Sequence, residues 1–212
     1  LTAIGNYIAS KKPDVIVNIG DFYDFPSLSS YDRGKLSFEG RRLKEDIEVG
    51  NRGMDLLLAP IKKEQERLKV NKKRQWHPRM IFITGNHENR CSRVAVNNPE
   101  FEGFIGEHLL NLGDWEVSEF LKPVDVNGIW FSHYLQNQLT GKPLGGSALN
   151  MLKTVGQSFV VGHRQVLDIA VRPVLSGDLQ IGIICGASYL HKEDYLGWTG
   201  NNHFRGITVL HN

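Results

Sequence analysis

Long apolar runs are missing from this chain. No stretch approaches the roughly 20 consecutive apolar residues that a membrane-crossing helix needs, so no membrane partner is expected. Cysteine is nearly absent. Cys91 and Cys185 are the whole supply, without the spacing of a thiolate zinc site, which excludes a disulfide scaffold and a structural zinc module. Both are expected as thiols in a reducing, cytoplasmic setting. Charge of one sign is lacking too: 25 Lys and Arg stand against 23 Asp and Glu, a net +2 that excludes a globally polyanion-binding protein. No repeat or low-complexity tract appears. A starting Met is also lacking; Leu1 runs straight into a helix-like pattern over residues 1–8, so native residues are expected upstream and the lack of a leader excludes nothing.

What is present is the composition of a soluble globular protein, 41% hydrophobic and 23% charged, and 212 residues suit one domain around one core. Four short apolar runs read as buried strands: residues 15–19, 80–84, 129–132 and 159–161. Each gives way at once to polar residues. The first leads into Gly20-Asp21, the second into Gly85-Asn86-His87-Glu88, the third into His133, and the fourth into Gly162-His163. Ligands gather where strand ends release loops, because side chains and backbone converge there.

Between the first two strands, residues 38–76 read as a helical insertion, with Leu43, Ile47, Met54, Leu57, Leu58, Ile61 and Leu68 near helical spacing. Gly50, Gly53 and Pro60 interrupt it, which points to two helices or one kinked helix. A packed amphipathic element is the plain reading; an oligomer interface or substrate arm is the other. Residues 62–79 carry eight Lys and Arg against Glu64 and Glu66, a solvated face or a contact for nucleic-acid phosphates, with Trp76 the only aromatic among them. Further on, the pattern predicts a helix at 103–111, a hairpin turning at Asn127-Gly128, a helix at 147–155, and strands at 166–174, 179–185 and 206–210.

A carboxylate, an amide oxygen and two imidazoles make a mixed oxygen and nitrogen donor set that suits Mn, Fe or Zn better than Ca. Taken singly, each of these residues has an ordinary structural role. Their order along the chain is what carries weight: Gly20-Asp21-Phe22-Tyr23-Asp24, Gly85-Asn86-His87-Glu88, Ser132-His133, Gly162-His163. In that order they resemble the calcineurin-like metallophosphoesterase superfamily, with Gly-Asn-His-Glu the most specific element.

The resemblance implies an α/β fold, a two-sheet β-sandwich flanked by helices, and metal-dependent hydrolysis of phosphoesters by a metal-activated hydroxide. It implies two divalent ions, Mn first and Fe or Zn as alternatives, with Asp21 bridging and Asn86, His133 and His163 completing one position. His87 would act on the leaving group, oriented by Asp24. Arg90 and Arg164 lie beside these ligands in sequence and could hold phosphate oxygens. Two departures stand out. The family's opening Asp-x-His element has no counterpart ahead of Lys11, so it and its strand are expected upstream of Leu1. Gln165 sits where many members place a second His, a poorer donor for the other metal.

A phosphodiesterase or nuclease is favoured by the basic 62–79 segment and by Phe25-Pro26 in place of the Arg-Gly that follows Gly-Asp-x-x-Asp in protein phosphatases of the superfamily. A phosphomonoesterase and a non-catalytic metal-binding scaffold are the alternatives. The late stretch 198–203 reads as a loop that is structural or borders the cleft. His77, His108, His191 and His211 carry no motif. Oligomeric state is open.

Overall fold

A computed structural model describes residues 1–190, 192 and 197–211. The architecture is α/β, with a three-stranded and a five-stranded sheet. The chain divides into two compact units, residues 1–117 and 118–212.

In the first unit α1 (Thr2–Lys11) leads into β1 (Val15–Asn18), and β2 (Arg79–Ile83) lies parallel to it with Val15 opposite Arg79 and Asn18 opposite Phe82. β3 (Glu116–Ser118) completes the order β1-β2-β3. Parallel neighbours need a crossover, and α2 (Leu43–Val70) lies within it. Its buried residues Met54, Leu57, Leu58, Ile61 and Leu68 follow helical spacing, and the first four pack in one core with Ile16, Phe82 and Trp115. Glu45 and Asp46 at its start and Arg67 and Lys69 at its end complement the helix dipole.

The interruptions expected within α2 do not break it: one 28-residue helix runs through Gly50, Gly53 and Pro60. The glycines serve contact. A Cβ on Gly50 would run into the Tyr23 ring, and one on Gly53 would meet Leu1 Cδ1 at 3.1 Å. The helix expected at 103–111 is replaced by a single 3-10 turn, Glu107–Leu109, because the extended backbone of Gly106, φ 169° and ψ −176°, interrupts the helical run in the middle of that range. α3 (Asn89–Asn97) follows the Gly85-Asn86-His87-Glu88 segment.

The second unit carries β4 (Val124–Val126), β5 (Ile129–Ser132), α4 (Ala148–Val155), β6 (Ser158–Val161), β7 (Leu167–Pro173) and β8 (Leu179–Cys185). The sheet order is β4-β5-β6-β8-β7, parallel through β5, β6 and β8 and antiparallel at both edges. The hairpin falls where expected, with Asn127 at φ 52° and Gly128 at φ 82°. Ser147 caps α4 by accepting from the Asn150 N–H. Ala148, Met151 and Leu152 of α4 pack on Phe159, Val161 and Ile184.

The strand expected at 206–210 is not formed. In its place a lone parallel bridge joins Ala187 to Arg205. No described helix is long and apolar enough to cross a membrane.

Candidate active site

The first unit gathers its candidates at the ends of β1 and β2. Past β1 the chain turns sharply, with Gly20 at φ 91° and Asp21 at φ 57°, a left-handed conformation that a carboxylate residue adopts only at a cost. What holds Asp21 there is Glu88. Its Oε2 accepts from the N–H groups of Asp21 and Gly85, each at 2.9 Å, and its Oε1 accepts from Tyr23 N–H at 2.8 Å. Glu88 is 1% exposed, and its burial pushes the carboxyl above the usual range, aided by the Asp21 charge and opposed by the donated N–H bonds. Gly85 is required beside it, because a Cβ would run into the Asp21 backbone and carboxylate.

Asp21 in turn accepts from His87 N–H through Oδ1 at 3.0 Å. The His87 ring lies between two carboxylates: Nδ1 stands 2.6 Å from Asp24 Oδ1, and Nε2 stands 3.8 Å from Asp21 Oδ2. The short Asp24 contact places the ring proton on Nδ1 and directs Nε2 away from Asp24. Partial burial pushes the Asp24 carboxyl up, but the hydrogen bond and charge of His87, with Arg90 behind, outweigh this and hold it below its ordinary value. Arg90 spends Nη1 on the backbone carbonyls of Asp24 at 2.7 Å and Phe25 at 3.1 Å, bracing the loop, with Asp24 Oδ1 3.8 Å away. Asn86 is half-buried between Gly85 and His87.

The second unit brings His133 and His163 together. His133 directly follows β5 and is 1% exposed, while His163 follows β6 and is exposed. The strand ends are tied by Gly162 N–H donating to the His133 carbonyl at 3.0 Å. Arg164 N–H then donates to the Gly162 carbonyl at 2.7 Å, closing a three-residue turn with His163 at its centre at φ 65°. A turn of this hand is rare and strained. The two imidazoles stand 5.2 Å apart at 74°, and Tyr134 packs 4.9 Å from His163. Two rings bound to one ion through nitrogens at about 2.1 Å have centroids roughly 4.5–6 Å apart, so the pair fits a shared ion.

Gln165 is half-buried and left-handed, at φ 56°, and Arg164 Nη1 donates to the Gly146 carbonyl. In the late stretch, Gly197–Gly200 is a helical turn. Asn201 Nδ2 donates to the Gly197 carbonyl at 2.7 Å, and His203 Nδ1 is 3.0 Å from the Gly200 carbonyl. His191 lies outside the described residues. Both thiols are pushed up by burial, Cys91 to about 12 and Cys185 to about 11, as befits unreactive cysteines.

Sequence reasoning assigned no role to Glu88, although it closes the most specific motif. A Glu that closes the Gly85-Asn86-His87 segment between an apolar strand and a helix is the available signal.

Two curated relatives are similar to this chain: the Gene 54 proteins of Mycobacterium phages D29 and L5. Each is 26% identical, over 171 and 172 residues respectively, covering 77% of this chain and 61% of the relative. The chain therefore spans about three fifths of the length of the relatives it matches. No family model and no solved structure matches it.

Proposed function

We propose that this protein is a metal-dependent phosphoester hydrolase of the calcineurin-like metallophosphoesterase type, acting on phosphodiesters, with Asp21, Asn86, His133, His163 and, more weakly, Gln165 as the ligands of two divalent ions. The reading carries with it the family's β-sandwich arrangement. The observation that supports it most is the His87–Asp24 pair at 2.6 Å, with Nε2 directed toward the Asp21 carboxylate. That is the local geometry of a proton donor beside a ligand, and an uninvolved surface His has no need of it.

Bound divalent ions would offset phosphate charge and lower the pKa of water at neutral pH. His87 supplies a proton to the leaving oxygen through Nε2, while Asp24 holds the ring in orientation through Nδ1. Glu88 holds the Asp21 loop in its strained form.

A nucleic-acid diester is favoured by the basic segment. Three of its eight cations are spent on ion pairs, Lys62 with Asp114, Arg67 with Glu64 and Arg79 with Glu116. Lys63, Lys69, Lys72, Lys73 and Arg74 are exposed and have no acidic partner among the described residues. Trp76 is spent on the Pro13 carbonyl at 2.9 Å, so phosphate contact is favoured over base stacking.

The test is hydrolysis of a generic diester, a generic monoester, and single- and double-stranded DNA and RNA, with Mn and with chelator. Mn-dependent diester cleavage that His87→Ala lowers by about 10²–10⁴-fold and Asp24→Asn by about 10–100-fold is expected. Full activity of His87→Ala would remove His87 from the chemistry. Inactivity of the metal-loaded protein on every ester would favour a binding scaffold.

A further inference from the structure

Among the described residues β7 is the outermost strand of the five-stranded sheet and pairs on one side only, with β8. Its two faces differ. Asp168, Ala170 and Arg172 are half-buried on the face toward α4, where Asp168 Oδ2 accepts from Ala148 N–H at 2.8 Å. On the other face Leu167, Ile169 and Val171 are 41%, 56% and 53% exposed. Monomeric proteins protect an edge strand with outward or inward charge, Pro, a bulge or a covering element. The exposed face of β7 has no charge, Pro173 stands only at its end, and the inward charges Asp168 and Arg172 are of opposite sign and flank Ala170 symmetrically.

We propose that β7 is a self-association edge, pairing antiparallel with β7 of a second copy of this chain about a twofold axis through Ala170. The strand sequence Leu-Asp-Ile-Ala-Val-Arg-Pro is complementary to itself in that register alone. Asp168 then faces Arg172 of the second copy, and by symmetry the same ion pair forms twice. Ile169 faces Val171 on the exposed side. Arg172 has no acidic partner among the described residues of its own chain, so the pairing supplies what it lacks. Shifting the axis to Ile169 sets Asp168 against Ala170 and leaves both charges unmatched; a parallel arrangement sets Asp168 against itself. A foreign strand would need a base and an acid at just these two positions, which β7 already provides. Pro173, without an N–H, ends the ladder.

The test is sedimentation equilibrium of the chain over a wide concentration range, with circular dichroism to confirm folding. Wild type is expected at twice its 23.9 kDa mass, and Ile169→Lys at once that mass. Val171→Lys repeats the test should the first variant fold poorly. Cysteines placed singly at Ile169 and Val171 are expected to cross-link when the two variants are mixed, since paired residues across antiparallel strands lie within disulfide reach, and neither variant alone is expected to cross-link to itself. A monomer at every concentration, a dimer that both lysine variants leave intact, or Ile169→Cys joining to itself would each overturn the proposal.

Discussion

Glu88 holds three backbone N–H groups with two oxygens and no water access, so its replacement shows what the loop costs to hold. Glu88→Ala orphans all three donors, and at about 1–3 kcal/mol per unsatisfied buried group the loss rivals the stability of an ordinary domain. Glu88→Gln keeps one acceptor oxygen but sets an amide NH₂ against one of the N–H groups, for an expected loss of about 1–3 kcal/mol in urea melts. A Gln variant as stable as wild type would mean that the carboxylate is not needed as a double acceptor. The sequence announced the Gly-Asn-His-Glu motif and the pairing of His87 with Asp24, because both belong to a recognisable order of residues. It did not announce the left-handed backbone at Asp21, His163 and Gln165. None of these is Gly or Asn, and what holds Asp21 in that conformation, through Glu88, is a contact 67 residues away.

At the scale of the element, the strands were legible because short β-branched runs that end abruptly in polar residues are too short for a buried helix and too apolar for a loop. The sequence left α2 open between two helices and one kinked helix, because Gly and Pro read as breakers; Gly50 and Gly53 instead serve close approach. Gly50 makes the point measurable. Alanine there gains about 1 kcal/mol of helix propensity, yet its Cβ would overlap the buried Tyr23 ring, and such overpacking costs about 1–3 kcal/mol. Gly50→Ala is therefore expected to be neutral to destabilising, where an exposed helical Gly→Ala stabilises; a clear rise in melting temperature would show that the ring has room to move. The strand expected at 206–210 failed for a different reason: apolar alternation marks a strand only where a neighbouring strand is available, and among the described residues the pairing there is a single bridge, Ala187 to Arg205.

The α1–α2 contact carries a pH signature. Glu64 accepts from Arg67 at 2.6 Å and pairs with Lys12 at 2.9 Å, and these hydrogen bonds lower its pKa from 4.5 to about 2. A depressed carboxylate contributes stability that is complete above its unfolded value and is lost as pH falls through the folded one. Urea midpoints are thus expected to fall between about pH 4.5 and 2, and less steeply in Glu64→Gln. Equal slopes in the two proteins would remove Glu64 from the account.

For the whole molecule, the proposed metal centre has a consequence that needs no substrate. An ion that binds only the folded chain stabilises it by about 2.7 kcal/mol at one hundred times its dissociation constant. Mn is expected to raise the melting temperature and chelator to reverse it, while His133→Ala abolishes the shift; a shift that survives His133→Ala would place the ion elsewhere. The Glu88 clamp bears on the order in which this molecule assembles. Joining Asp21 to Glu88 closes a 67-residue loop, an entropic cost on the order of 4 kcal/mol before any contact offsets it. β1–β2 pairing closes nearly the same loop and brings four residue pairs to offset its cost, so the clamp is expected to form with that pairing. In pulse-labelled hydrogen exchange during refolding, the Asp21 and Tyr23 amides are expected to gain protection together with β1 and β2 and never before them. A chain caught half-folded therefore lacks the bent loop that presents Asp21, and any ion that the proposed centre takes up there would bind only once the sheet is finished.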